Sequence, residues 1–184
     1  ALGRNMALVY DPAMREALHA RVEICSAICE AVAQDRFLPF YQPQIDLRSG
    51  VIEGFEVLAR WDHPQRGIVP AAAFLLALED PETARQIGDA VLRRAMVDLR
   101  GWLDAGVAVP RLWLNLAPGV FRDPAFPDAL LGKLAAAGFS PTQFGIEVTE
   151  NVLLTRQGEQ AGPALQHLRA AGIRVALDDF GTGY

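Results

Sequence analysis

Lysine is nearly missing from this chain of 184 residues: Lys133 is the only one, and the other sixteen basic residues are arginine. A reaction that needs a lysine must take it from elsewhere unless Lys133 serves. No basic run occurs and the formal net charge is −5, so the footprint of a duplex nucleic-acid binder is absent. No apolar stretch reaches the roughly 20 residues of a membrane-spanning helix, and no secretory leader is recognisable. Cysteine is scarce too. Cys25 and Cys29 stand four apart in an apolar helical pattern, which places both on one helix face. That suits buried thiols better than a disulfide. The expected compartment is the cytoplasm.

What is present is an ordinary globular balance, 51% hydrophobic and 21% charged, with enough chain for one sizeable core. Residues 13–35 carry a stripe of Leu18, Val22, Cys25, Cys29 and Val32 stepping by four and three, the mark of an amphipathic helix. Such a helix packs on its own domain or forms a coiled-coil seam; three heptads without clear charge pairing favour the first. Phe37–Leu47 reads as a strand broken by Pro39 and Pro43, which fits a sheet edge. After the Arg48-Ser49-Gly50 turn, Val51–Trp61 is a second strand.

Pro70–Glu79 reads as a short helix. A longer one follows, with Asp80 as N-cap, Pro81 at its first position and a buried face of Ile87, Val91, Ala95, Leu99 and Trp102. Three more strands (Leu112–Leu116, Phe144–Glu150 and the run entering Asp178) alternate with helices over Pro127–Ala137 and Gly162–Ala171. From residue 50 onward this rhythm predicts a parallel sheet with right-handed crossovers.

Four successive strands carry one oxygen-bearing residue near the carboxyl end: Glu56, Asn115, Glu147 and Asp178. Asp179 adds a fifth. Taken singly these are weak. Asp179 equally suits a helix cap with Asp178 solvated, Glu56 an ion pair with Arg60 on the same strand face, and Asn115 a bond to backbone. Taken together, they meet on one face of a parallel barrel. Carboxylates so gathered repel unless cations neutralise them, and oxygen donors alone select Mg²⁺ or Mn²⁺ over zinc. Adjacent Asp178 and Asp179 point to opposite sides of their strand and need not serve one ion. Two such ions suit phosphodiester hydrolysis.

Four stretches occur in order: YQPQIDLRSGVIEGFEVLARWDHPQRGIVPAAAF at Tyr41–Phe74, WLNLAP at Trp113–Pro118, FGIEVTE at Phe144–Glu150 and VALDDFGTGY at Val175–Tyr184. Together they resemble an EAL domain, the cyclic di-GMP phosphodiesterase family. The resemblance implies a partial (β/α)8 TIM-like barrel of which five strands are present, preceded by a linker helix. Its expected divisions are 1–12 as the tail of a preceding GGDEF-like domain, 13–36 as the linker helix and 37–184 as the N-terminal part of the EAL domain.

It further implies that Glu56, Asn115, Glu147 and Asp178 hold a first metal and Asp179 a second, with Glu56, Asp178 and Asp179 catalytic. Arg60 would grip a substrate phosphate, Gln42 and Leu58 would lie beside the dinucleotide, and Glu150 would steady the DFGTGY loop. The implied reaction is metal-dependent hydrolysis of cyclic di-GMP to linear pGpG, by a domain that pairs as a homodimer. Two departures stand out. Val57 replaces the alanine of the signature, which implies altered packing. The family's catalytic lysine and later glutamates fall beyond Tyr184, so residues 1–184 alone are expected to be inactive. A receptor that binds the dinucleotide, or a protein partner, without cleaving is the alternative.

Overall fold

The computed structural model describes residues 12–150, 152 and 158–178. Its centre is one sheet of six strands: β1 (Phe37–Ile45), β2 (Ile52–His63), β3 (Gly67–Pro70), β4 (Leu112–Asn115), β5 (Phe144–Thr149) and β6 (Arg174–Asp178). The strand order is β1-β2-β4-β5-β6, with β3 paired to β2. From β2 onward the neighbours β4, β5 and β6 are parallel. β1 lies antiparallel to β2 at the end of the order, a place where Pro39 and Pro43 leave few ladder bonds unmade.

Two points differ from expectation. β3 is a sixth strand, antiparallel to the far end of β2; four residues are too short to show a period of their own. Residues 71–78 form a 3-10 turn (Ala71–Phe74) followed by one α turn, α2 (Leu75–Leu78), rather than one helix.

Helices cover one face of the sheet. α3 (Pro81–Asp104) lies over β1 and β2, α1 (Pro12–Ala33) packs on α2 and α3, and α4 (Phe126–Ala136) and α5 (Gly158–Ala170) complete the layer. α3 starts as the sequence predicts: Asp80 accepts hydrogen bonds from the Thr83 backbone and hydroxyl, and Pro81 follows. These satisfy an otherwise orphaned helix N–H. Its buried residues include Ile87, Val91, Ala95 and Leu99. Gly138 and Gly172 end α4 and α5 with φ of +75° and +106°, a conformation that costs a residue with a Cβ.

The core lies between the two layers. Phe37, Trp61 and Phe74 form its aromatic centre, with ring centroids 5.5–6.3 Å apart. Tyr41 donates its hydroxyl to Asp98 of α3 at 2.6 Å and meets Trp102 edge-on. α1 joins this core, its buried residues being Ile28 and Ala31, with Ile24, Cys25 and Val32 packed beside them. The face is rotated from the predicted stripe: Val22 is 60% exposed and Cys29 is exposed rather than buried. Ile28 outcompetes Cys29 for the core because a larger apolar side chain gains more on leaving water. No helix among the described residues is long and apolar enough to cross a membrane. Residues 1–11, with the expected tail of a preceding domain, lie outside the described residues.

Candidate functional site

Strand alternation divides the sheet's side chains between the helix layer and the opposite, open face. Val57, Trp61, Leu112, Leu114, Phe144, Ile146 and Val148 point into the helix-side core. The register then fixes the open face. Glu56 is opposite Trp113 and Gln42, Asn115 is opposite Glu147, Glu147 is opposite Ala176, and Thr149 is opposite Asp178. Gln42, Glu56, Asn115, Glu147 and Asp178 therefore share one surface. Their heights differ from expectation. Asn115 and Asp178 end their strands, but Glu56 lies in the middle of β2, because β2 runs on to pair with β1 and β3.

The floor beneath these residues is Trp113. Its indole occupies the space above two glycines of the flanking strands: a Cβ at Gly54 would stand 2.8 Å from Nε1, and one at Gly145 would overlap the ring. The Arg111 guanidinium lies 5.7 Å from the centre of the indole ring. Glycine on both sides is what lets so large a side chain lie flat on the sheet.

Above that floor the polar groups are engaged with one another. Asn115 donates its amide to Glu56 Oε1 at 2.6 Å. Gln44 donates its amide to Glu147 Oε1, also at 2.6 Å. The Glu56–Arg60 ion pair weighed from the sequence does not form. Arg60 donates instead to the Ala59 carbonyl and stacks on Phe40 at 5.5 Å.

Glu147 is the electrostatic centre of the group. It is 8% exposed, and burial pushes its pKa above the ordinary glutamate value, with Glu56 and Asp178 pushing the same way and the Gln44 hydrogen bond pulling back. Desolvation disfavours the charged form, and like charges nearby add to that penalty.

Among the described residues no three His, Cys, Asp or Glu side chains close into a metal cage. Asp179 lies outside the described residues, as does the DFGTGY loop beyond it; Glu150, half-buried, directly follows β5. The donor chemistry nonetheless fits a hard divalent cation. The converging groups offer oxygen only, and a cation held by them would offset the repulsion that Glu56 and Asp178 exert on Glu147.

Three residues of this face went unpredicted. Phe40 pairs with Leu58 across β1 and β2 and is 44% exposed. Trp113 forms the floor. Gln44 reaches Glu147. Two-residue periodicity was the available signal for Gln44, since it places Gln42 and Gln44 on the same face.

The site is thus an acid-lined open face on a largely parallel α/β sheet. The comparisons narrow it. The family model for the EAL domain matches residues 26–184, and the chain belongs to that family. It is 32% identical over 176 residues to a cyclic di-GMP phosphodiesterase of Pseudomonas aeruginosa, covering 95% of this chain and 30% of that protein. It is 30% identical to the bifunctional diguanylate cyclase/cyclic di-GMP phosphodiesterase MucR of the same organism, covering 99% of this chain and 26% of MucR. The chain spans about a quarter of the length of the curated relatives it matches.

Among solved structures, the P. aeruginosa MucR phosphodiesterase in complex with cyclic di-GMP superposes with a TM-score of 0.79 at 31% identity, over 88% of this chain and 65% of that one. The FimX EAL domain of P. aeruginosa bound to cyclic di-GMP gives a TM-score of 0.73 at 27% identity, over 86% of this chain and 63% of that one.

Proposed function

We propose that the domain carrying this chain hydrolyses one phosphodiester of cyclic di-GMP, releasing linear pGpG, with Mg²⁺ or Mn²⁺ as cofactor. The observation that carries the proposal is the convergence of Glu56, Asn115, Glu147 and Asp178 on one face, with Glu147 buried among its fellow acids. These residues would hold the metal, with Asp179 contributing to a second ion. The chemistry such ions supply is Lewis acidity toward phosphate oxygens and water.

The chain's own groups bind and orient the substrate. Arg60, beside the acids on β2, is suited to a forked hydrogen bond with a phosphate. Gln42 is exposed next to Glu56 and offers an amide to the sugar or base. Leu58 and Phe40 form an apolar step on which a guanine can stack. Glu150, at the end of β5, anchors the loop that follows Asp179. Around this core the proposal includes a homodimer, a preceding GGDEF domain and a cytoplasmic setting, the last supported by two free thiols.

The test is incubation of the whole protein that carries this chain with cyclic di-GMP and either ion, following pGpG. Turnover that stops on chelation is expected. A folded protein that binds the dinucleotide yet makes no pGpG with either ion would refute the phosphodiesterase reading and leave a receptor in its place.

A further inference from the structure

We propose that Gln44 is a positioning residue for the metal site: it holds the carboxylate of Glu147 in place from across the open face of the sheet, through a neutral amide. The inference rests on the metal-binding reading above and adds to it a residue outside the acidic set. β1, which carries Gln44, ends the strand order, and two strands, β2 and β4, stand between it and β5. A hydrogen bond of 2.6 Å from Gln44 Nε2 to Glu147 Oε1 therefore spans the open face instead of following the sheet. Only a sheet curled about that face brings the two together.

The chemistry of the pair suits the role. A carboxylate that is 8% exposed needs hydrogen-bond donors to remain ionised. Gln44 donates to one oxygen of a group that has about four lone-pair sites, so most acceptor capacity remains for a cation. An arginine or lysine at position 44 would also hold Glu147, but its positive charge would compete with the ion. A neutral donor orients the ligand without neutralising it. Groups that orient metal ligands in this way are each worth about 10–100-fold in metal affinity or activity. Gln42, two residues earlier on the same face, pairs with Glu56 across the strands and is assigned to the substrate, so the two glutamines separate by role.

The experiment titrates Mn²⁺ into the whole protein and follows the loss of the free-ion paramagnetic resonance signal, a readout that needs no turnover. Q44M keeps the length of the side chain and removes the donor; Q44A serves if Q44M fails to fold. The expected result is a folded protein whose Mn²⁺ affinity is weakened about 10–100-fold, with near wild-type KM for cyclic di-GMP once Mn²⁺ is saturating. Q42M is expected to do the reverse, raising KM and leaving Mn²⁺ affinity alone. Wild-type affinity in both Gln44 variants overturns the role of Gln44 while the metal site stands. A wild-type protein that takes up no Mn²⁺ overturns the site and the inference together.

Discussion

Val57 is where the sequence departs from the family signature, and its side chain is 4% exposed on the helix side of β2. Glu56 and Leu58, its neighbours, are on the other face. The substitution therefore acts on packing. Val57→Ala should cost about 1–2 kcal/mol of stability from lost apolar burial, read by denaturant unfolding, and leave turnover per folded molecule unchanged. Gly145 is constrained from the opposite side. Gly145→Ala drives a methyl group into the Trp113 ring, and the overpacking should cost about 1–3 kcal/mol. A thermal midpoint equal to wild type would show that the indole has room to move off the floor.

That Glu56, Asn115, Glu147 and Asp178 share a face was legible because alternation along a strand is a local property. Gln44 was not, because choosing it over Gln42 requires the curvature of the sheet, which only distant strands set. Phe40 was hidden for a related reason: its exposure depends on what else covers the open face.

At the level of elements, the turn joining α1 to β1 is fastened to α3. Asp35 there has φ of +57° and accepts from Arg93 and Arg94 of α3 at 2.9 and 2.6 Å. The hydrogen bond from Arg94, then that from Arg93, holds its carboxyl below the ordinary value of 3.8. A depressed carboxylate stabilises the fold above the unfolded pKa, and that contribution is lost as pH falls through the lower folded value. Acid titration of stability should therefore flatten below about pH 4 in Asp35→Asn. Asparagine tolerates the left-handed backbone, so Asp35→Asn loses only a partly exposed ion pair, about 0–1 kcal/mol. Asp35→Ala should lose about 1–2 kcal/mol more. Equal midpoints for the two variants would show that the backbone conformation at 35 is not strained.

The strands β1, β2, β4, β5 and β6, and the three longer helices after β3, were readable from periodicity and punctuation. β3 was too short. In α1 the residues Val22, Ile24, Cys25, Ile28 and Cys29 supply two overlapping stripes, and only contact with α2 and α3 decides between them.

For the molecule as a whole, the helix layer builds a rigid backing and leaves the acids on the open face of a curled sheet. The bond from Gln44 to Glu147 ties the first strand to the fourth in the sheet order, so the face that bears the acids is concave. Concavity is what turns separate polar residues on separate strands into one site. It also explains why Glu147 is buried although it faces away from the core.

The central claim is that these acids work together on a phosphodiester. Its most direct measurement is pGpG formation from cyclic di-GMP by the whole protein carrying Glu56→Gln, with Mn²⁺ or Mg²⁺ in excess. Glutamine preserves the volume of Glu56 and removes its charge. The rate should fall about a hundredfold or more, since even the groups behind metal ligands are worth about 10–100-fold, with the thermal midpoint no lower than wild type. A folded Glu56→Gln protein that turns over at the wild-type rate would contradict the account.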